Sequence, residues 1–250
     1  MQYDKLITKY FISIEAIIYV TFILLDILGT TPALSDIFKY SGIIVVFAFA
    51  LYWCIKRRDR NRTVVTSALL FTAVADFFLL FCSDDIRLLI PGLLSFSVTQ
   101  TLYYVHLTES RRKNKRILIP CLVFVLSAVS SCIIDLLLSY DTVALILITL
   151  VFYYAITFAL NTAGSVARCK KSRLRTDFIF ALGLILFVLC DINVLIRHLN
   201  TFFFEAVPRT MVEASIFLSW VFYLPAQVLI ALHCKTSDDP RPLGSGSKNA

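Results

Sequence analysis

The stretch SALLFTAVADFFLLF, from Ser67 to Phe81, is an apolar run that contains a single aspartate, Asp76. A predominantly apolar run of about 20 residues is long enough to cross a lipid bilayer as an α-helix. The carboxyl group of Asp76 would then lie inside the membrane, where an ionisable group costs about 2.5 to 3.5 kcal/mol on insertion scales. Such groups face the interior of a helix bundle and usually belong to a functional site.

The whole chain has the composition of a membrane protein. Of its 250 residues, 58% are hydrophobic, and the mean hydropathy is +0.80. A soluble domain of this length cannot bury that many apolar residues in its core. Further apolar runs predict an all-α fold, a polytopic membrane bundle of eight transmembrane helices. The predicted spans are Ile7–Leu28, Tyr40–Ile55, Thr63–Cys82, Ile86–Leu107, Ile117–Leu138, Thr142–Gly164, Thr176–Ile196 and Met211–His233.

The second predicted span is the shortest, so a bundle of seven spans is the main alternative. The distribution of basic residues favours eight. Lysine and arginine cluster at 56–62, 111–116 and 168–175, on every second connection. Short basic loops stay on the cytoplasmic side, so this alternation predicts that both termini are cytoplasmic. The same basic loops account for the net charge of +7, since lysine and arginine beside span ends contact anionic lipid headgroups. The net charge therefore does not indicate nucleic-acid binding.

The domain organisation predicted from these patterns is one transmembrane bundle over residues 1–235. The tail at 236–250 is rich in Pro, Gly and Ser, which is typical of a flexible end, and its GSGS is typical of an added linker. The seven cysteines and three histidines are scattered, without the spacing of a metal site, and no nucleotide or nucleophile motif is present. We therefore expect no metal and no cofactor, and catalysis would depend on carboxylates.

Asp191 is a second acid within an apolar run. Spans three and seven both begin at a basic cluster, and Asp76 and Asp191 follow those starts by about 13 and 15 residues, or ~20 Å of helix. Two carboxyl groups at one depth could share a cavity, with one protonated and the other ionised, as an acid/base pair requires. The alternative is that each aspartate hydrogen-bonds a neighbouring helix and serves packing alone.

Other polar side chains inside the spans are candidates for substrate binding. Gln100 and Tyr103 lie close together on span four, and Tyr223 and Gln227 are one helical turn apart on span eight. Glu15 lies in the middle of span one. Amide and phenol groups of this kind can bridge helices or orient a polar headgroup in a cleft, and the sequence leaves both interpretations open.

Four blocks carry a resemblance to a known family. In chain order they are SALLFTAVADFFLLF, PGLLSFSVTQTLYYV, FALGLILFVLCDINVLI and WVFYLPAQVLIAL, on spans three, four, seven and eight. Together they resemble the lysoplasmalogenase-like, YhhN-type family of eight-span membrane proteins. The matching positions are Asp76, Gly92, Phe96, Tyr103, Phe187, Asp191, Tyr223, Ala226, Gln227, Leu229 and Ile230.

The chain departs from the family pattern at three positions. Gln100 stands where the family typically has histidine, Ala75 replaces the glycine before the first aspartate, and Cys190 replaces the serine before the second. An amide cannot relay a proton as an imidazole does. The change at Gln100 is therefore compatible with an active enzyme and equally with a branch that binds an amphiphile without cleaving it.

The resemblance implies hydrolysis of the vinyl ether bond of a lysoplasmalogen, with release of a fatty aldehyde and a glycerophospho-alcohol. The implied catalytic pair is Asp76 and Asp191. The expected partners are a lysophospholipid or other single-chain amphiphile and the membrane lipids, in the cytoplasmic membrane if the source is bacterial. The alternative function is a non-catalytic lipid-binding or signalling protein. A transporter is less favoured because the halves show no repeat.

Overall fold

The computed structural model describes residues 2–29, 31–82, 85–108, 113–138, 141–202 and 208–236. Within these residues the chain forms eight α-helices, each long and apolar enough to cross a membrane. The predicted all-α fold with eight transmembrane helices is therefore confirmed, whereas the orientation of the termini stays a prediction. The helices are α1 (Gln2–Leu28), α2 (Pro32–Arg57), α3 (Arg60–Phe81), α4 (Ile86–Leu107), α5 (Lys113–Leu138), α6 (Thr142–Ser172), α7 (Arg175–Phe202) and α8 (Arg209–Thr236).

The second helix is longer than its apolar run predicts. It begins at Pro32, about two helical turns before the predicted start at Tyr40, and it includes Lys39, whose charge is neutralised inside the protein. The Lys39 Nζ lies 3.1 Å from the Asp26 carboxylate of α1 and 5.5 Å from the centre of the Trp220 ring of α8. With 26 residues, α2 is long enough to span, which removes the reason for a seven-span count.

Short signals in the sequence set the ends of the helices. Gly29, with φ of +61°, ends α1 by donating its N–H to the Leu25 carbonyl, and Pro32 opens α2, where a missing N–H costs nothing. The carboxylates of Asp85 and Asp141 accept backbone N–H groups in the first turns of α4 and α6. These caps satisfy groups that a helix end leaves open.

The chain divides into two compact units, residues 1–52 with 173–250, and residues 53–172. We refer to them as the outer-sequence unit and the central unit. The predicted single bundle over 1–235 stays a prediction. The predicted flexible tail at 236–250 lies outside the described residues, apart from Thr236 at the end of α8.

In the outer-sequence unit, α7 and α8 run antiparallel in close contact. A Cβ atom added at Gly183 would lie 2.9 Å from Ile230 and 3.1 Å from the Ala226 carbonyl oxygen, so the absence of a side chain lets the two backbones approach. At one end of the pair, the His233 Nδ1 donates a hydrogen bond to the Thr176 carbonyl at 3.0 Å. A carbonyl oxygen can only accept, so the proton of this ring is on Nδ1.

In the central unit, α4 contacts α3, α5 and α6. Threonine hydroxyls connect α3 and α4, since the Thr99 Oγ1 donates to the Ala68 carbonyl at 3.1 Å and lies 3.4 Å from the Thr72 Oγ1. Thr101 of α4 and Tyr153 of α6 share a hydrogen bond of 2.6 Å. Inside a membrane, where water is absent, hydroxyl groups of this kind form hydrogen bonds between helices and so hold them together.

Gly183 and Gly164 provide a matched test of the packing between α7 and α8. We expect Gly183→Ala to destabilise the protein by about 1–3 kcal/mol, because the new methyl group would crowd the Ile230 side chain and the Ala226 backbone oxygen and push α7 and α8 apart. At Gly164 in α6 the nearest atom would be 3.7 Å away, so Gly164→Ala should stabilise by about 0.5–1 kcal/mol through the entropy of the chain. Thermal unfolding in detergent measures both. Equal effects of the two substitutions would contradict this description of the packing.

Candidate functional site

Asp76 lies inside the central unit on α3. Its exposed fraction is 4%, so its carboxyl group is shielded from the lipid as the sequence predicts for an interior acid. It follows Thr72 by one helical turn, and Thr72 is the residue that meets Thr99 of α4. The face of α3 that carries Asp76 is therefore its polar, inward face.

Gln100 and Tyr103 lie on α4 in the same unit, and both side chains are fully buried. The sequence analysis did not single out the partner of Gln100, which is Asn161 of α6. The Asn161 Nδ2 donates to the Gln100 Oε1 at 2.9 Å and to the Gln100 carbonyl oxygen at 2.8 Å. The signal that could have found Asn161 is in the sequence, since it is an isolated amide in the apolar stretch AITFALNTAG.

Glu15, Tyr223 and Gln227 are buried in the outer-sequence unit. The exposed fractions are 4% for Glu15 and Tyr223 and 0% for Gln227. Gly42 of α2 makes room for this cluster, because a Cβ atom there would lie 2.9 Å from Leu224 and 3.3 Å from the Glu15 Oε2. Among the described residues, neither carboxylate oxygen of Glu15 and neither amide atom of Gln227 has a hydrogen-bond partner.

Tyr19 of α1 connects this cluster to α8 through a backbone hydrogen bond. Pro225 has no N–H, so the carbonyl of Val221, four residues earlier, loses its usual helical donor. The Tyr19 hydroxyl donates to that oxygen at 3.1 Å. Tyr19 lies one turn after Glu15 on α1, and Val221 lies two residues before Tyr223 on α8.

Asp191 lies on α7 in the outer-sequence unit and is half-buried. It follows Phe187 by one turn, and the Phe187 ring contacts the Tyr223 ring at a centroid distance of 5.2 Å. The Tyr223 ring in turn contacts Trp220 at 5.2 Å. Trp220 and Tyr223 of α8 thus pack beside Phe187 of α7.

The structure places the predicted site residues in two groups. Asp76, Gln100 and Tyr103 belong to the central unit, whereas Asp191, Glu15, Tyr223 and Gln227 belong to the outer-sequence unit. The pairing of the two aspartates, inferred from their depth, stays a prediction, as do the roles of all seven residues. No group of three His, Cys, Asp or Glu side chains within the described ranges could hold a metal ion.

These features define a polytopic α-helical membrane protein with ionisable and amide groups buried among its helices. The family model of the YhhN family matches residues 34–234, and the chain belongs to this family. The resemblance stated from the four blocks is therefore confirmed. The family includes lysoplasmalogenases. Neither a curated protein nor a solved structure matches the chain significantly.

The match begins within α2, so α1 with Glu15 and Tyr19 precedes the matched residues. The contacts of α1 with α8 are features of this chain that its structure shows and the family match does not cover.

Replacing Tyr19 with phenylalanine tests the hydrogen bond that the Tyr19 hydroxyl donates to the open Val221 carbonyl of α8. We expect Tyr19→Phe to lower the free energy of unfolding by about 1–3 kcal/mol, because the Val221 carbonyl, which has no helical donor at Pro225, then loses the Tyr19 hydroxyl as well. Tyr10→Phe is the control on the same helix, since Tyr10 is 61% exposed, and its effect should stay within about 0.5 kcal/mol. Thermal unfolding of both variants in detergent decides between them. Two equal, small effects would show that the Tyr19 hydroxyl does not support α8.

Proposed function

We propose that the protein hydrolyses the vinyl ether bond of lysoplasmalogen-type lysophospholipids. The proposal is carried by the YhhN match over residues 34–234, a range that contains Asp76 and Asp191. The burial of Asp76 at the inner face of α3 supports it, because acids inside a membrane usually belong to a functional site. The substrate class fits a membrane-embedded site, since a single-chain lipid has its reactive bond at the edge of the hydrocarbon.

The chemistry requires an acid and a base. A proton is added to the β-carbon of the alkene, which leaves a cation shared between the α-carbon and the ether oxygen. A water molecule adds to the α-carbon and gives a proton to a carboxylate, and the resulting hemiacetal then collapses. The hemiacetal hydroxyl gives its proton to a carboxylate as the bond between the α-carbon and the glycerol oxygen breaks. The glycerol oxygen takes up a proton from a carboxylic acid, and an aldehyde is released with net consumption of one water.

Two carboxyl groups can supply these steps. A protonated carboxyl group is the general acid for the carbon, and an ionised one stabilises the cation and then accepts the proton of the water. The same division of roles operates between the two carboxyl groups of glycoside hydrolases. Asp76 and Asp191 are the proposed pair, and coupled groups of this kind titrate together, so neither is assigned as the acid.

Five further buried polar residues are proposed to bind the substrate. They are Gln100, Tyr103, Tyr223, Gln227 and Glu15. Those with unpaired polar atoms among the described residues, such as Glu15 and Gln227, are suited to the glycerol and headgroup portion, because buried polar groups are normally hydrogen-bonded. No cofactor takes part in this proposal. If the source is bacterial, the proposed location is the cytoplasmic membrane.

One observation favours the second candidate function, which is lipid binding or signalling without cleavage. The side chain of Gln100, at the position where the family resemblance implies histidine, is hydrogen-bonded to Asn161 and has no titratable proton. A proton relay at this position is therefore absent from the described residues. The two functions differ in whether the protein releases aldehyde.

Aldehyde release by purified protein in detergent tests the proposal. We expect Asp76→Asn and Asp191→Asn each to reduce the rate by about 10²–10⁴-fold, the contribution of a general acid or base. Asp135→Asn is the matched control, because Asp135 is also a half-buried acid on a transmembrane helix, near the end of α5. Its rate should remain within about twofold of the unmodified protein.

The control for folding is the elution profile and thermal unfolding of each variant. Folded variants at Asp76 and Asp191 that retain full activity would exclude the acid pair. If the folded, unmodified protein releases no aldehyde from choline or ethanolamine lysoplasmalogens at any pH between 5 and 9, the hydrolase proposal is wrong and binding without cleavage becomes the leading function.

A further inference from the structure

Gln100 and Asn161 form an isolated pair of amides in the central unit. Both residues have an exposed fraction of 0%. One nitrogen, the Asn161 Nδ2, donates to both the carbonyl oxygen and the side-chain oxygen of Gln100, at 2.8 and 2.9 Å. These contacts use both hydrogens of the Asn161 amide and one acceptor of the Gln100 amide.

The orientation of both amides follows from the backbone contact. A backbone carbonyl oxygen only accepts hydrogen bonds, so the atom of Asn161 that faces it must be the nitrogen Nδ2. The atom of the Gln100 side chain that faces this nitrogen must then be the oxygen, because two NH₂ groups would repel each other. The contact with Asn161 therefore leaves the Gln100 Nε2 as an unused donor.

Each amide retains one polar atom without a partner. Among the described residues, the Gln100 Nε2 and the Asn161 Oδ1 make no hydrogen bond. The hydroxyl of Ser97, one turn before Gln100 on α4, is also buried and without a partner there. The large majority of buried polar atoms in proteins are hydrogen-bonded. Two amides in direct contact that keep one unpaired donor and one unpaired acceptor therefore point to a ligand that supplies both partners.

We propose that Asn161 is a positioning residue that fixes the Gln100 amide, and that the two amides together bind a hydroxyl group of the lipid. The lipid group is the free hydroxyl on the central glycerol carbon, which accepts from the Gln100 Nε2 and donates to the Asn161 Oδ1. Naming this group rests on the proposed function, which makes the substrate a lysophospholipid.

The chemistry of the pair excludes other parts of such a lipid. A phosphate needs several donors or a cation, and an ammonium group needs acceptors alone, whereas this pair offers one donor and one acceptor without charge. A methylene group would leave both atoms unpaired. A hydroxyl matches the pair, and discrimination against a ligand that lacks the matching group is strong when the polar atoms of the site are buried.

The test compares two radiolabelled lipids that the protein cannot hydrolyse. Both are saturated 1-O-alkyl glycerophosphocholines, one with a free hydroxyl on the central carbon and one with that hydroxyl methylated. We expect the purified protein to bind the free hydroxyl about three- to tenfold more tightly, the factor expected for one net hydrogen bond. Asn161→Leu and Gln100→Met should each bind the two lipids equally.

Two further variants control for effects of the substitutions on packing and folding. Thr157→Val is the matched control, because Thr157 is a buried residue one turn before Asn161 on α6 and its hydroxyl donates to carbonyls of its own helix, at Tyr153 and Tyr154. It should keep the preference. The double variant Gln100→Met/Asn161→Leu removes both partners at once, which is less disruptive to folding than removing one, and it should also lose the preference.

The outcomes separate this inference from the proposed function. If the unmodified protein does not distinguish the lipids, or if a folded Asn161→Leu variant still does, the hydroxyl site is overturned even where aldehyde is released. If discrimination is present and depends on both amides while no vinyl ether is cleaved, the hydroxyl site stands and the hydrolase proposal fails. Loss of the preference in Thr157→Val as well would assign the effect to general packing and overturn the site.

Discussion

The constraint on which this structure depends is the cost of an unpaired polar group in a medium without water. Inside a bilayer, backbone and side-chain polar groups find their partners within the protein or remain at a cost of several kcal/mol. Helices meet this requirement for the backbone, and the eight apolar runs therefore become eight helices. What distinguishes this chain is how the exceptions are satisfied. The open Val221 carbonyl at Pro225 receives the Tyr19 hydroxyl, and the Lys39 ammonium group receives the Asp26 carboxylate.

The same constraint separates buried polar groups whose partners explain their burial from those that are candidates for ligand binding. Lys39 and Tyr19 are accounted for by their partners, whereas Glu15 and Gln227 keep buried atoms without partners among the described residues. Asp76 is buried on the inner face of α3, and Asp191 is half-buried on α7, one turn after Phe187. In the proposed reaction, Asp76 and Asp191 would protonate and hydrate a vinyl ether, and the buried amides and Glu15 would hold the polar part of the lipid.

Much of the fold could be predicted from the sequence, since length and apolarity determine a transmembrane helix. The start of α2 could not, because Lys39 interrupts the apolar run and its neutralisation depends on Asp26, which is distant in space until the chain folds. Asn161 was missed for a related reason. A single amide in a long apolar helix can be interpreted only when its partner is known. The partner of Asn161 is Gln100, which is 61 residues away along the chain. Burial of Asp76 was predictable, whereas the pairing of the aspartates depends on distances that a one-dimensional pattern does not contain.

The proton that reaches carbon is the most direct mark of the proposed chemistry. Vinyl ether hydrolysis in D₂O should yield an aldehyde with one deuterium on the carbon next to the carbonyl, provided that the aldehyde is reduced to the alcohol as soon as it forms. Mass spectrometry of that alcohol is the measurement. One deuterium per molecule is the predicted result. An aldehyde-derived alcohol without deuterium would contradict protonation at carbon by a carboxylic acid, and with it the central claim about Asp76 and Asp191.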